Sequence, residues 1–151
     1  MGRFITTTYL EDLTDDEMMQ RPCAGCNHIK WQLGHLIMSE RGMMEFVSPG
    51  ASPALPEGFA ERYAKETASS DDAQQFDSKA ALLAAFDAQR AATLAILEQQ
   101  SADDLDKPGP EAFRAFAPTV ASLFELQGSH YLMHAGQWAV VRRQLGRPPI
   151  F

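Results

Sequence analysis

Two histidines, His130 and His134, lie four positions apart in a segment of helical character. Four residues advance an α-helix by about one turn, so both imidazoles leave the same face with about 6 Å between their Cβ atoms. Two ring nitrogens at that separation can reach one divalent cation, each at about 2.0–2.1 Å. A third histidine from a facing helix would complete a three-nitrogen site with open positions for water or substrate. His35 is the candidate for that third ligand.

Four helical segments are predicted to position these residues. The first lies within residues 3–20, and the second runs from about His28 to Phe46 with Asn27 as its N-cap. The third runs from about Ser78 to Gln100. The fourth starts near Pro118, a favoured first-turn residue, and ends at Gly146 before two prolines.

Two long connections separate these helices. Residues 48–76 are rich in Pro and Gly and hold at most one helical piece, near Glu57–Thr67. Residues 103–118 are the second connection, and strand signals are nearly absent throughout. The sequence therefore predicts an all-α fold, a four-helix bundle with long crossover loops, as a single domain over residues 1–151.

The histidines fall on predicted apolar seams at 3/4 spacing. The seam of the fourth helix is Val120, Leu123, Gln127, His130, His134, Trp138 (or Gln137), Val141 and Leu145. The seam of the second helix is His28, Trp31, His35, Met38, Gly42 and Phe46. Buried imidazoles need compensation, and either a shared cation or structural hydrogen bonds can provide it. His28 is seven residues before His35, about 10.5 Å along the axis, so we interpret it as a helix N-terminal residue rather than a ligand.

Composition and charge limit the partners. Of the 151 residues, 45% are hydrophobic and 22% charged, which is ordinary for a globular protein. The net charge of -7 argues against nucleic acid, and the basic residues Arg142, Arg143 and Arg147 suit a helix C-terminus. No apolar run approaches about 18 residues, and the N-terminus is a poor signal peptide. We therefore expect a cytoplasmic protein with no membrane partner.

Two segments also resemble a known family. Asn27-His-Ile-Lys-Trp-Gln-Leu-Gly-His35-Leu is similar to the second-helix signature of the DinB-like superfamily. His130-Tyr-Leu-Met-His134-Ala-Gly-Gln137, followed by Leu145-Gly-Arg-Pro-Pro149, resembles its last-helix signature. The order and separation of these segments also match, so the resemblance spans nearly the whole chain.

The resemblance implies a four-helix bundle that holds a divalent ion, often zinc or nickel, with His35, His130 and His134 as ligands. Characterised relatives include thiol-dependent transferases and maleylpyruvate isomerases, which use low-molecular-weight thiols, and some metal-dependent hydrolases. The expected function is a metal-dependent enzyme acting on a small-molecule substrate, with thiol-dependent transfer or isomerisation slightly favoured over hydrolysis. The alternative is a non-catalytic metal-binding or interaction module with a structural metal. A homodimer is expected for a bundle of this size.

Cys23 and Cys26 form a C-x-x-C just before the second helix. A helix N-terminus lowers a thiol pKa, so one interpretation is a redox dithiol, and another is a second metal site completed by His28. The chain has no other cysteine to complete a four-ligand zinc site and lacks the βαβ context of a thioredoxin motif. We therefore favour a structural pair without a functional role.

Few other side chains are candidates for the site. Ser39 and Gln127 each lie about one turn from a candidate ligand, so either is a candidate to orient an imidazole or a bound water. Glu40 and Glu125 are five residues from a ligand, about 140° around the helix, and are poor ligands. No carboxylate is thus expected to act as general base beside the metal. The pocket walls are expected from residues 48–76 and 103–118.

Overall fold

The computed structural model describes residues 2–150, which form six α-helices joined by turns and 3₁₀ segments. The helices are α1 (Gly2–Leu10), α2 (Ile29–Val47), α3 (Phe59–Arg62), α4 (Lys79–Glu98), α5 (Ala102–Leu105) and α6 (Val120–Gln144). The 3₁₀ segments are Glu17–Met19, Lys65–Thr67, Ala73–Gln75 and Glu111–Phe113. Within the described residues there is no strand, only one isolated bridge between Pro108 and Thr119. The predicted all-α class is confirmed.

The four longest helices, α1, α2, α4 and α6, contact one another in a ring. Helix α1 packs on α6, α6 on α2, α2 on α4, and α4 on α1. Because α1 ends at Leu10, its wall is continued by the following turns, where Leu13 and Met18 are buried in the same core. The arrangement is the predicted four-helix bundle, with long connections before and after α4.

The predicted seam of α6 is largely confirmed, and that of α2 is partly wrong. On α6, Leu123, Gln127, His134, Trp138 and Val141 are buried, whereas His130 is half-buried. On α2 the buried face includes Leu33, Leu36, Ile37, Glu40 and Met44, so Gly42 and Phe46 face outward. The buried face differs from the predicted seam because Glu40 forms an ion pair with Arg90 at 2.6 Å, and this pair lets a carboxylate lie on the core side of α2. His35 consequently lies at the edge of the buried face.

The helix ends follow from local capping. His28, not the predicted Asn27, is the N-cap of α2, and its Nδ1 accepts the Trp31 backbone N–H at 3.1 Å. Ser78 caps α4, which begins next to the predicted start, and Thr119 caps α6 in a reciprocal pair with Ser122. At the C-terminus of α6, Gly146 adopts a φ of 73°, which closes the helix with a left-handed residue.

One close approach positions the long connection against α2. A Cβ atom on Gly34 would lie 2.1 Å from a ring carbon of Tyr63, so only glycine lets the tyrosine ring pack directly on the helix backbone. The Tyr63 hydroxyl is fixed in turn by donating to Asp77 at 3.1 Å. The helical piece predicted near residues 57–67 is confirmed as α3 and the 3₁₀ turn Lys65–Thr67.

The basic cluster at the end of α6 holds the N-terminal segment in place. Arg142 pairs with Asp12 and donates to the Tyr9 carbonyl at 3.0 Å. Arg147 pairs with Glu17 at 2.7 Å. Arg142 and Arg147 therefore join the end of α6 to the segment that follows α1.

One segment of the described chain, Ala73–Glu98, is long and apolar enough to cross a membrane by length and composition alone. Its most apolar stretch of 18 residues has a mean hydropathy of 1.4. We did not expect such a segment, because no uninterrupted apolar run is that long, but the alanines here are interrupted by few polar residues. One such helix is weak evidence, since bundle core helices pass the same test. In this fold α4 packs on α2 and α1.

The buried N-cap predicts how stability depends on pH. Burial lowers the pKa of His28 to about 4, whereas an unfolded histidine titrates near 6.5. Between these values the unfolded state binds a proton that the folded state does not, so the free energy of unfolding falls as the pH drops from about 6.5 to about 4. His28→Asn keeps a capping side chain and removes this titration. The free energy of unfolding should be measured by urea denaturation at several pH values in this window. Its slope against pH should be smaller in the variant than in the wild type by up to about 1.4 kcal/mol per pH unit. Equal slopes would show that His28 is not held neutral.

Candidate metal centre

Helices α2 and α6 bring the three predicted histidines together. One ligand nitrogen from each of His35, His130 and His134 lies within 4.8 Å of the other two. The ring centroids are 5.3 Å apart for His35 and His130, 5.8 Å for His35 and His134, and 5.1 Å for His130 and His134. The i,i+4 pair on α6 therefore meets its third partner across the helix interface, as the seams predicted.

His134 is the most buried of the three, and its tautomer follows from the hydrogen bonds around Gln32. Trp138 Nε1 lies 2.9 Å from Gln32 Oε1, and an indole N–H can only donate, so the amide oxygen must face it. The same oxygen lies 2.9 Å from His134 Nδ1. Nδ1 must therefore carry the proton and donate to Gln32. The lone pair of His134 is left on Nε2, where it can bind a cation.

Gln32 is itself fixed at both ends of its amide. Its Nε2 donates to the Asn27 carbonyl at 2.5 Å and to Gln137 Oε1 at 3.1 Å, and the residue is fully buried. A histidine ligand commonly donates its other N–H to such a partner, which sets the ring orientation. Gln32 was not predicted from the sequence, because its side chain contacts the candidate ligand His134 on the other helix rather than its own neighbour His35.

His35 is oriented by stacking. Its ring lies parallel to that of Trp31, one turn earlier, with centroids 5.1 Å apart and an interplanar angle of 6°. Trp31 Nε1 donates to the Ala64 carbonyl and to Thr67 Oγ1, both at 3.1 Å. The connection between α2 and α4 therefore holds the tryptophan against the face on which His35 stands.

Burial keeps the imidazoles neutral. It lowers the pKa of His130 and of His134 to about 4, and it also lowers the pKa of His35. The neighbouring histidines lower the pKa values of His130 and His134 further. Neutral imidazoles expose lone pairs at neutral pH, which is the state that binds a metal.

No acidic side chain joins the three histidines in the described part of the chain. Glu40 faces α4, where it pairs with Arg90. Gln127, expected near the imidazoles, instead donates to Met43 Sδ at 2.7 Å and to the Leu123 carbonyl. The donor set is thus three nitrogens without a fourth protein ligand, which fits a divalent ion that keeps open coordination positions.

A pocket of about 350 Å³ opens beside this centre. It is lined by His35, Ser39, Met43, Phe113, Phe116, Leu126, Ser129, His130 and Met133. Ser39 is therefore in the pocket wall. The connection over residues 103–118 contributes to the wall as expected, whereas residues 48–76 do not line this pocket. The expectation for residues 48–76 was wrong because that connection packs on the part of α2 that precedes His35, around Gly34 and Trp31.

The cysteines do not take part in the centre. Cys23 and Cys26 are joined by a disulfide in the loop before α2, so neither sulfur is available to bind a metal with His28. His28 Nδ1 is already used in capping. Arg21 ties the loop to the rest of the fold by donating to the carbonyls of Cys26 and Ala68 at 2.7 and 3.0 Å. The second metal site is therefore contradicted, whereas the redox dithiol stays a prediction, because a disulfide is also the oxidised form of such a pair.

Comparison with known proteins agrees with this geometry. A family model described as the DinB superfamily matches residues 3–138, a range that includes all three histidines. The family predicted from the two sequence signatures is thereby confirmed. Searches among curated proteins and among solved structures found no match.

The Gln32 hydrogen bonds predict an effect on metal affinity. In Gln32→Leu, the N–H groups of His134 and Trp138 lose their acceptor, so the His134 ring is no longer held with Nε2 toward the centre. Loss of such a partner typically costs about 10- to 100-fold in metal affinity. We expect a loss of that size for zinc in competition titrations with a chromogenic chelator.

Gln89→Leu is the matched control, because Gln89 is an equally buried amide on α4 that bonds Ser52 and Thr93 instead. Its metal affinity should equal that of the wild type. A similar loss in both variants would assign the effect to general destabilisation rather than to Gln32.

Proposed function

Since the chain belongs to the DinB superfamily, we propose that it is a metal-dependent enzyme in which His35, His130 and His134 hold one divalent ion, zinc or nickel. The observation that carries the proposal is the group of three neutral imidazoles, with ligand nitrogens within 4.8 Å of one another, beside an accessible pocket. Imidazole nitrogen suits both metals.

The chain's own residues prepare the centre for chemistry. Gln32 and Trp31 fix the rings of His134 and His35, so the ligand nitrogens are positioned before an ion binds. His35 and His130 line the pocket, and His134 lies deeper in the fold. A bound ion would supply Lewis acidity, which lowers the pKa of a thiol or water that reaches it.

Thiol-dependent transfer or isomerisation is the reaction type that we favour slightly, with hydrolysis as the other possibility. The supporting observation is the absence of a carboxylate base from the histidine group within residues 2–150. A thiol, with an ordinary pKa of about 8.5, needs much less assistance to ionise than water at about 15.7. A low-molecular-weight thiol is therefore the proposed cosubstrate, in line with what the family resemblance implies.

The competing proposal is a non-catalytic module with a structural metal. Structural zinc sites are almost always closed by four protein ligands. The histidine group offers three, and Glu40, the nearest acid along α2, is paired with Arg90. The catalytic proposal is therefore better supported. The small-molecule substrate, the homodimer and the cytoplasmic location stay predictions.

Metal content tests the ligand assignment. Protein purified without a metal-affinity tag and reconstituted with zinc should contain about one ion per chain by elemental analysis, since the three histidines form one site. His134→Ala should abolish tight binding, because two imidazoles remain. His28→Asn, which alters the buried histidine outside the centre, should retain it. Absence of metal from the wild type, or equal loss in both variants, would contradict the assignment.

Activity tests the catalytic proposal. The metal-loaded protein should accelerate reaction of small thiols with electrophilic substrates in a panel assay followed by thiol consumption. Chelation should reduce the rate to the uncatalysed background and added metal should restore it, because the ion supplies the activation. A metal-replete protein that accelerates neither thiol reactions nor ester and amide hydrolysis would favour the structural-metal module.

A further inference from the structure

The pocket beside the histidines runs along the axis of α2. His35 stands at one end and Met43 at the other, eight residues and about 12 Å further along the helix axis. A molecule in the pocket can therefore place one end at the histidines and extend its remainder for roughly two helical turns. We call the end at His35 the reactive end and the end at Met43 the recognition end.

The recognition end has no charge. No Asp, Glu, Lys or Arg lines the pocket, and its polar groups are the hydroxyls of Ser39 and Ser129 besides the two imidazoles. Burying a charged group without a partner is costly, whereas burying apolar area contributes about 25 cal/mol per Å². The wall therefore favours an uncharged aromatic or aliphatic group.

The mouth of the pocket carries apolar side chains that the fold does not cover. Phe116 is 60% exposed and Met133 is 57% exposed, among the highest values for large hydrophobic residues in the described chain. Phe116 packs edge to face on Phe113, with centroids 5.8 Å apart, so two aromatic rings stand together at one wall. Exposed apolar residues clustered around a cavity, rather than scattered singly, indicate a ligand-binding surface.

A buried amide restrains Met43 at the recognition end of the pocket. Gln127, which is 1% exposed, donates its amide N–H to Met43 Sδ and to the Leu123 carbonyl. This contact restrains a methionine, which is otherwise the most adaptable of apolar side chains. Gln127, which was expected near the imidazoles, thus supports the Met43 end of the pocket instead.

We propose that this pocket binds the uncharged aromatic or aliphatic portion of a small-molecule substrate, with Met43, Phe113, Phe116 and Met133 as its recognition residues. The placement of the reactive end at the histidines rests on the proposed metal-dependent function. The apolar recognition itself does not, because it depends on residues outside the ligand set.

Indole is a suitable probe, since it is neutral, aromatic and smaller than the pocket. Protein labelled with ¹³C at the methionine methyl groups should be titrated with indole before and after removal of metal by chelation. The methyl signals of Met43 and Met133 should shift in a saturable way in both forms, while those of Met18 and Met19, outside the pocket lining, stay unchanged. Tryptamine, which adds an ammonium group, should bind more weakly although the chain's net charge of -7 attracts cations.

Matched variants test the aromatic wall. Phe116→Ser should weaken indole binding about 2- to 10-fold, the usual range for losing one aromatic contact. Leu94→Ser removes a similarly exposed apolar side chain, 50% exposed, from α4 and should leave indole binding unchanged. Both positions are on the surface, so neither change is expected to prevent folding.

The outcomes separate this proposal from the metal-dependent function. Saturable shifts of Met43 and Met133 in a protein that binds no metal would uphold the apolar recognition and reject the metal centre. Metal binding without such shifts, equal shifts at Met18 and Met19, or tighter binding of tryptamine than of indole would overturn the proposal while leaving the metal centre intact.

Discussion

The amide of Gln32 is the contact on which the geometry of the α2–α6 interface depends. Its oxygen accepts from His134 and Trp138 of α6, and its nitrogen donates to the Asn27 carbonyl at the start of α2. Each buried polar group left without a partner would cost about 1–3 kcal/mol, so sliding one helix along the other would break several bonds at once. The register of the two helices and the orientation of a candidate metal ligand are therefore set by the same side chain.

A second candidate ligand, His35, is positioned by packing rather than by hydrogen bonds. Tyr63 sits on the backbone of Gly34, and this contact brings the loop carbonyl of Ala64 to Trp31, whose ring lies flat against His35. The glycine before His35 is thus a condition for the orientation of the histidine, although it does not touch the centre. The long connection between α2 and α4 does not line the pocket but supports the site by holding Trp31 against His35.

The fold class, the helix order and the three histidines were predictable from sequence because each rests on local periodicity or on a recognisable segment. The inward face of α2 was not, since Glu40 occupies the core only because Arg90 of another helix neutralises it. The contacts of Gln32 and Gln127 could not be predicted from the sequence either. Spacing along one helix relates each to its neighbours, yet their partners are His134 and Met43 on the facing helix. Polar contacts between helices depend on register, which periodicity does not encode.

The pairing of acidic side chains elsewhere in the bundle explains why the three imidazoles suit a cation. The carboxylate of Glu40 is used by Arg90, and the acids of the N-terminal turns pair with Arg142 and Arg147. The histidines consequently have no acidic neighbour in their group among the described residues, and burial holds them neutral. If His35 and His130, like His134, carry their protons on the nitrogens that face away from the centre, the three facing lone pairs cannot satisfy one another, because a lone pair needs a donor or a positive charge. A divalent ion meets that need for all three at once, whereas a proton meets it for only one and adds an unpaired charge to a buried site.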